Sequence, residues 1–253
     1  MVRRSCLLGV VFILIFCLVG CSNNHAKKSE NTVSREHAQI FLYGEKHGVD
    51  SVIEKEYEIW YELYHNDGMR HLFLELPYFT AEFLNVWMQE DNDDILNALY
   101  DDWEGTASHV PAKKDFYKQI KAQCPETVFH GTDVGHQFFS TGERFLAYLE
   151  QKNLQNSTQY LITQEVIEQG QFFYKNMDHD HVYRENKMTE NFIREFDSLD
   201  GEKVMGIYGG AHTGLNKLDY TRKVPCMANQ LKQYYGDIIY SENLSAWKWW
   251  WQK

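Results

Sequence analysis

The sequence predicts an α/β fold: a central, mostly parallel sheet with helices on both faces and a helical insertion after the second strand. Two observations carry that expectation. Short apolar runs of the buried-strand kind alternate with longer stretches whose apolar residues recur at helical spacing. The first strand, the first helix and the second strand also follow one another at the distance a right-handed parallel crossover needs.

Residues 1–20 stand outside that fold, because Arg3 and Arg4 precede an apolar run from Cys6 to Val19 that reads as a secretory signal. Leu18-Val19-Gly20-Cys21 closes the run and resembles the bacterial lipobox, which implies cleavage before Cys21 and a lipid on that cysteine. The expected location is the extracytoplasmic face of the cell membrane, with the bilayer a partner through the lipid. An uncleaved transmembrane anchor is the alternative, but the run is at the short end for spanning ~30 Å of hydrocarbon. Residues 21–37 have almost no apolar side chains and read as a flexible tether. Residues 38–253 are long enough for a single domain with a real core.

Within that domain "AQIFLYGE" reads as the first strand. Asp50 and Ser51 can cap the helix "SVIEKEYEIWYELYHND", and Gly68 ends it. "RHLFLELP" is the second strand, stopped by Pro77. Residues 78–123 hold no good strand but three helical stretches, "AEFLNVWMQE", "DDILNALYDDW" and "KKDFYKQIKAQC", which form the insertion. The sheet resumes with "ETVFHGTD". Helices follow at about Glu143–Lys152, Thr158–Asn176 and "DHVYRENKMTENFIREFDSL", then a strand "KVMGIYGG", a helix "MANQLKQYYG" and a last strand "DIIYS".

Charge and cysteine content narrow the partners. Removing residues 1–20 takes away two Arg and no acid, so the net charge moves from −11 to −13, which excludes nucleic acid as a natural partner. The domain keeps Cys124 and Cys226, whose pairing the spacing alone does not decide.

In open parallel sheets the chemistry lies beyond the carboxyl ends of the strands. The first strand ends in Gly44-Glu45-Lys46-His47-Gly48, the second at Glu75, the third near His130, Asp133 and His136, and the fourth in Gly209-Gly210-Ala211-His212. Each polar residue taken singly has a bland explanation as a cap or a solvated strand end. Together they would crowd carboxylates and imidazoles into one cleft, and such crowding shifts pKa values and positions water or a cation.

Two of these ends share the form Gly-x-x-His, Gly44 to His47 and Gly209 to His212. With "FLELP", "FHGTDVGHQ" and "YRENKMTENFIREF" in order between them, the chain resembles the erythromycin-esterase-like, TraB-like and TIKI-type group. The resemblance implies that Glu45, His47, Glu75, Arg184 and His212 serve catalysis or metal binding, and it leaves Asp133 and His136 as further cleft residues. Members of that group differ in chemistry: some look like metal-dependent peptidases, some like esterases that activate water without metal, and some relatives bind haem.

The residues themselves favour a hydrolase of an ester or peptide bond in a small-molecule or peptide substrate. His47 has a suitable unperturbed pKa for a base, Glu45 or Glu75 could fix its tautomer, and Arg184 suits an oxyanion or a substrate carboxylate. No Gly-x-Ser-x-Gly elbow is present, and neither domain cysteine sits in a nucleophile motif, so attack by water is the simpler scheme. His47, Glu75 and His212 would make a three-ligand site for a divalent ion such as zinc, manganese or cobalt. In the alternative reading the same fold binds haem or a metal ion and does no chemistry. Two further stretches are read as structural: Asp178 to His181 as a helix start with capping aspartates, with His179 or His181 reaching the cleft from one turn before Arg184 as the alternative, and the tryptophan-rich "SAWKWWWQK" as packing or an interfacial contact.

Overall fold

The structure, a computed structural model, describes residues 35–175 and 179–246. The signal and lipobox residues, most of the tether, Asp178 and the tryptophans of the tail lie outside the described residues. Five strands, β1 (Ile40–Glu45), β2 (His71–Pro77), β3 (Val128–Asp133), β4 (Val204–Gly209) and β5 (Ile239–Asn243), form one all-parallel sheet in the order β3-β2-β4-β1-β5. Eight α-helices accompany them among the described residues: α1 (Asp50–Asn66), α2 (Tyr78–Met88), α3 (Asp94–Asp102), α4 (Pro111–Gln123), α5 (Glu143–Gln151), α6 (Thr158–Phe173), α7 (His181–Asp197) and α8 (Met227–Tyr235). The α/β architecture expected from the sequence is the one observed, with α2, α3 and α4 filling the stretch between β2 and β3.

The central strands β1 and β4 are buried along their whole length because both faces of the sheet are covered. Phe41, Tyr43, Leu72, Leu74 and Ile207 pack on one side with Trp60 of α1, Trp87 of α2, Phe116 of α4 and Val166 of α6. Their neighbours Ile40, Leu42, Phe73, Val204 and Tyr208 face the other side, against Met188 and Phe192 of α7 and Leu231 of α8. Cys124 and Cys226 are buried free thiols and do not pair.

Since every strand runs the same way, all carboxyl ends open on one edge of the sheet. The pairing of β1 with β4 sets Gly44 opposite Tyr208 and Glu45 opposite Gly209, which brings the two Gly-x-x-His motifs side by side. Between Leu74 and Pro77 the register of β2 on β3 slips, and this irregularity carries Glu75. Gly131 of β3 accommodates it: a β-carbon there would lie 2.2 Å from the Pro77 carbonyl oxygen.

Candidate active site

The two motifs interlock. A β-carbon on Gly209 would lie 2.7 Å from His47 Nε2, and one on Gly44 would lie 2.5 Å from Thr213 Oγ1. Gly209 is therefore the seat for the histidine of the first motif, and Gly44 for the threonine that follows the second. Gly48, at φ +70°, takes a backbone conformation other residues resist, and the Ala107 carbonyl between α3 and α4 closes over it.

Glu45, the last residue of β1, is buried and accepts from His47 Nδ1 at 2.9 Å through Oε1. Its Oε2 accepts from Lys113 Nζ of α4 at 3.4 Å, and the same ammonium donates to Glu56 of α1 at 3.2 Å. One buried lysine thus serves two buried carboxylates. Burial opposes the charge on Glu45, but Lys113 and then His47 overcome it and hold its pKa well below the carboxylate range. Burial wins at Glu56, one of whose oxygens has no hydrogen-bond partner among the described residues, and its pKa rises to about 8 in spite of Lys113. The hydrogen bond to Glu45 is the main reason that the His47 pKa rises to about 9.

Glu75 lies across the cleft from His47, whose Nε2 is 3.8 Å from Glu75 Oε2. Arg184, near the start of α7, donates to Glu75 Oε1 at 2.6 Å and spans both oxygens of Asp133 at 2.9 and 2.5 Å. The Gly209 N–H donates to Glu75 Oε2 at 2.5 Å. Burial would raise the Glu75 pKa, yet His212 and Arg184 keep it lowered. Arg184 in the same way holds Asp133 far below its usual range against burial. His136 binds Asp133 Oδ2 through Nε2 at 3.0 Å and the Tyr174 hydroxyl through Nδ1.

His212 stands behind Glu75 and does not line the open cleft. Its Nε2 is 3.6 Å from Glu75 Oε1, and its Nδ1 is 2.7 Å from Glu185 Oε2. Glu185 is anchored in turn by the Met227 backbone N–H at 2.5 Å. The cleft itself is lined by Glu45, His47, Glu75, Asp133, His136 and Arg184, with Lys113 and Tyr117 beside them.

The structure therefore gathers Glu45, His47, Glu75, Asp133, His136 and Arg184 at one cleft and sets His212 one layer back. His130 is elsewhere. It is the third residue of β3, paired with Phe73, and at ~3.3 Å per residue it sits about 10 Å from the strand end. Its ring stacks on Phe73 at 4.5 Å and bonds His71 and Glu195. Sequence reasoning missed Glu56, Lys113 and Glu185, although each carries a signal. Lys113 shares a buried helical stripe with Phe116, Tyr117 and Ile120, Glu56 with Ile53, Trp60 and Leu63, and Glu185 with Met188, Thr189 and Phe192.

The donor set does not fit a divalent cation. Among the described residues no three His, Cys, Asp or Glu side chains converge as a metal site. Glu75 Oε1 already accepts from a guanidinium and Oε2 from a backbone N–H, while His47 and His212 approach different oxygens of that carboxylate. Haem fits no better at His47, because an axial imidazole needs a bare nitrogen over an apolar slot and His47 Nε2 looks at a carboxylate.

No family model matches the chain, and no curated protein matches it in sequence. Solved structures do match in fold. An erythromycin esterase variant, EreC in its open conformation, superposes with a TM-score of 0.60 at 11% identity, over 82% of this chain and 70% of that one. A Bacillus cereus protein gives 0.57 at 14% identity, over 86% of this chain and 67% of its own length. A succinoglycan biosynthesis protein gives 0.55 at 13%, over 81% and 65%. At such identities the likeness establishes an erythromycin-esterase-like fold.

Proposed function

We propose that this protein is a hydrolase that cleaves an ester or peptide bond by attack of water activated at His47. The observation that carries the reading is the Glu45–His47 pair, with Nδ1 fixed on a buried carboxylate and Nε2 turned into the cleft opposite Glu75. A gap of 3.8 Å is too long for a direct hydrogen bond, and a water beside it can touch both groups. Neutral His47 takes one proton of that water at Nε2, and ionised Glu75 accepts the other as a hydrogen bond. Glu45 stabilises the imidazolium that results. Arg184 lines the cleft, and its Nη1 has no protein partner among the described residues, so it is the donor for the oxyanion. His212 and Glu185 keep Glu75 in place from behind. The esterase named among the fold neighbours supports the ester as the first bond to try. The lipid on Cys21 and the extracytoplasmic, membrane-tethered location belong to the same proposal, on the strength of residues 18–21.

The test uses the mature chain with p-nitrophenyl acetate and a chromogenic peptide. His47→Asn should lower turnover by about 10²–10⁴-fold, the usual contribution of a positioned base. Turnover should survive dialysis against a chelator, because no three donor side chains among the described residues converge on a cation site. A His47→Asn variant as active as the wild type would end the proposal.

A further inference from the structure

The cleft holds a second imidazole fixed on a buried carboxylate. Asp133, whose side chain is 1% exposed, is kept ionised by Arg184, so it accepts from His136 Nε2–H at 3.0 Å. His136 Nδ1 is hydrogen-bonded to the Tyr174 hydroxyl, and both residues line the cleft with His47. The Glu45–His47 pair ends on Nε2, which no hydrogen bond occupies among the described residues, and a bare nitrogen suits a base. The Asp133–His136 pair ends differently. Both its ring nitrogens are taken, and its way into the cleft is the phenol.

Backbone packing holds this second array in place. His136 follows Gly135, and Tyr174 ends α6 one turn after Gly170, whose carbonyl accepts from the Tyr174 N–H at 3.0 Å. A β-carbon on Gly170 would lie 2.1 Å from the Gly135 carbonyl oxygen, and one on Gly135 would lie 2.2 Å from the Val166 carbonyl oxygen. The loop after β3 and the helix α6 therefore touch backbone to backbone, and that joint brings the imidazole and the phenol together. Burial, with the charge of Asp133 added and Arg184 opposing, raises the Tyr174 pKa, so the phenol keeps its proton at neutral pH. Tyr174 is also 41% exposed, which leaves its hydroxyl within reach of a bound molecule.

A hydrolase needs such a donor, because an alkoxide or an amide anion is too basic to depart without a proton. His47 is poorly suited to supply it: its imidazolium is held between Glu45 and Glu75 and, with a pKa of about 9, is a weak acid. We propose that the Tyr174 hydroxyl is the acid of this site: it protonates the leaving oxygen or nitrogen, and His136, held by Asp133, restores its proton. The inference rests on the hydrolase reading above. The water oxygen bonds the acyl carbon while His47 Nε2 takes one of the water protons. The bond from the acyl carbon to the leaving atom breaks as that atom takes the Tyr174 proton, and Tyr174 takes the Nδ1 proton of the His136 imidazolium. A carboxylic acid and an alcohol or amine depart, and the proton on His47 passes through solvent to His136 before the next turnover.

The test compares two acetate esters on the mature chain: p-nitrophenyl acetate, whose phenolate leaves without a proton, and ethyl acetate, whose alkoxide does not. Tyr174→Phe keeps the ring and removes the hydroxyl alone. It should melt as the wild type does and lose about 10²-fold or more in kcat/KM for ethyl acetate, with a loss on p-nitrophenyl acetate at least about tenfold smaller. His136→Gln keeps a donor to Asp133 but cannot pass a proton, and as a change to a positioning residue it should shift the ratio of the two rates in the same direction. Equal losses on the two esters in Tyr174→Phe would make the ring a wall of the cleft and overturn the inference, as would an unchanged rate on ethyl acetate. A wild type that cleaves p-nitrophenyl acetate and not ethyl acetate would show that the site has no acid and would leave the hydrolase standing. A wild type that cleaves neither ester would remove the hydrolase reading, and the acid with it.

Discussion

Replacing Glu45 by Gln isolates the contact on which the chemistry depends. In the wild type the hydrogen bond from His47 Nδ1 to Glu45, with the charge of Glu75 added and burial opposing, lifts the imidazole pKa from 6.5 to about 9. Taken whole, that shift is about 3.4 kcal/mol. The His47 side chain is 42% exposed, however, so water screens a good part of it. A discounted contribution of ~1.5 kcal/mol, about one pKa unit, is the working figure. The folded-state pKa is the higher one, so the charged imidazole stabilises the fold fully below pH 6.5, and that contribution disappears as the pH rises through about 9. Catalysis has the opposite dependence, because Nε2 must be bare to act as a base. The wild-type kcat/KM should rise with pH to the His47 midpoint. In Glu45→Gln the midpoint should fall by about one unit or more while the plateau drops, since Gln cannot stabilise the imidazolium. Ring-carbon NMR titration, with the His47 signal assigned by its loss in His47→Asn, reads the midpoint without using activity. An unchanged midpoint in Glu45→Gln would refute the dyad.

Three other variants test the surroundings. Lys113→Met leaves Glu45 buried without its ammonium and should cost about 3–5 kcal/mol in chemical denaturation; a variant as stable as the wild type would mean that Glu45 has found another partner. Arg184→Lys keeps the charge but loses the fork across Asp133 and Glu75. Turnover should fall about 10²-fold or more, with stability down by roughly 2 kcal/mol; early melting with full activity per folded molecule would make Arg184 purely structural. Gly209→Ala sets a methyl 2.7 Å from His47 Nε2. The exposed imidazole can swing away, so the melting temperature should hardly move while turnover drops about tenfold or more; full activity would show that the ring has no fixed seat.

Much of the frame was legible because buried parallel strands announce themselves as unbroken apolar runs. "IFLYGE" and "VMGIYG" needed no more than that. The polar residues that close those runs, Glu45, Glu75 and Asp133, then follow from where the strands stop. Lys113 was harder because Lys114 stands beside it, and only the phase of α4 against α1 decides which lysine turns inward. His212 was visible as a motif member, but its depth depends on Glu185 and on the start of α8. His130 was misplaced because "FHGTD" does not show where the strand ends, and its partner His71 begins a different strand.

The strand order also has a consequence for how the chain reaches its native state. β1 is made first, yet both its neighbours, β4 and β5, come from the last part of the described chain. A chain emerging from its N-terminus holds Ile40–Glu45 with two bare hydrogen-bonding edges until Val204–Gly209 and Ile239–Asn243 arrive. β2 and β3 can meet sooner, but only as an isolated pair that still lacks β4. Closure of the sheet is thus deferred to the end of synthesis and must gather distant segments at once, the arrangement that folds slowly. Until then the half-made product is an apolar ribbon open to other chains, so a stall before residue 204 is more hazardous to the cell than a defect in any one side chain of the finished site.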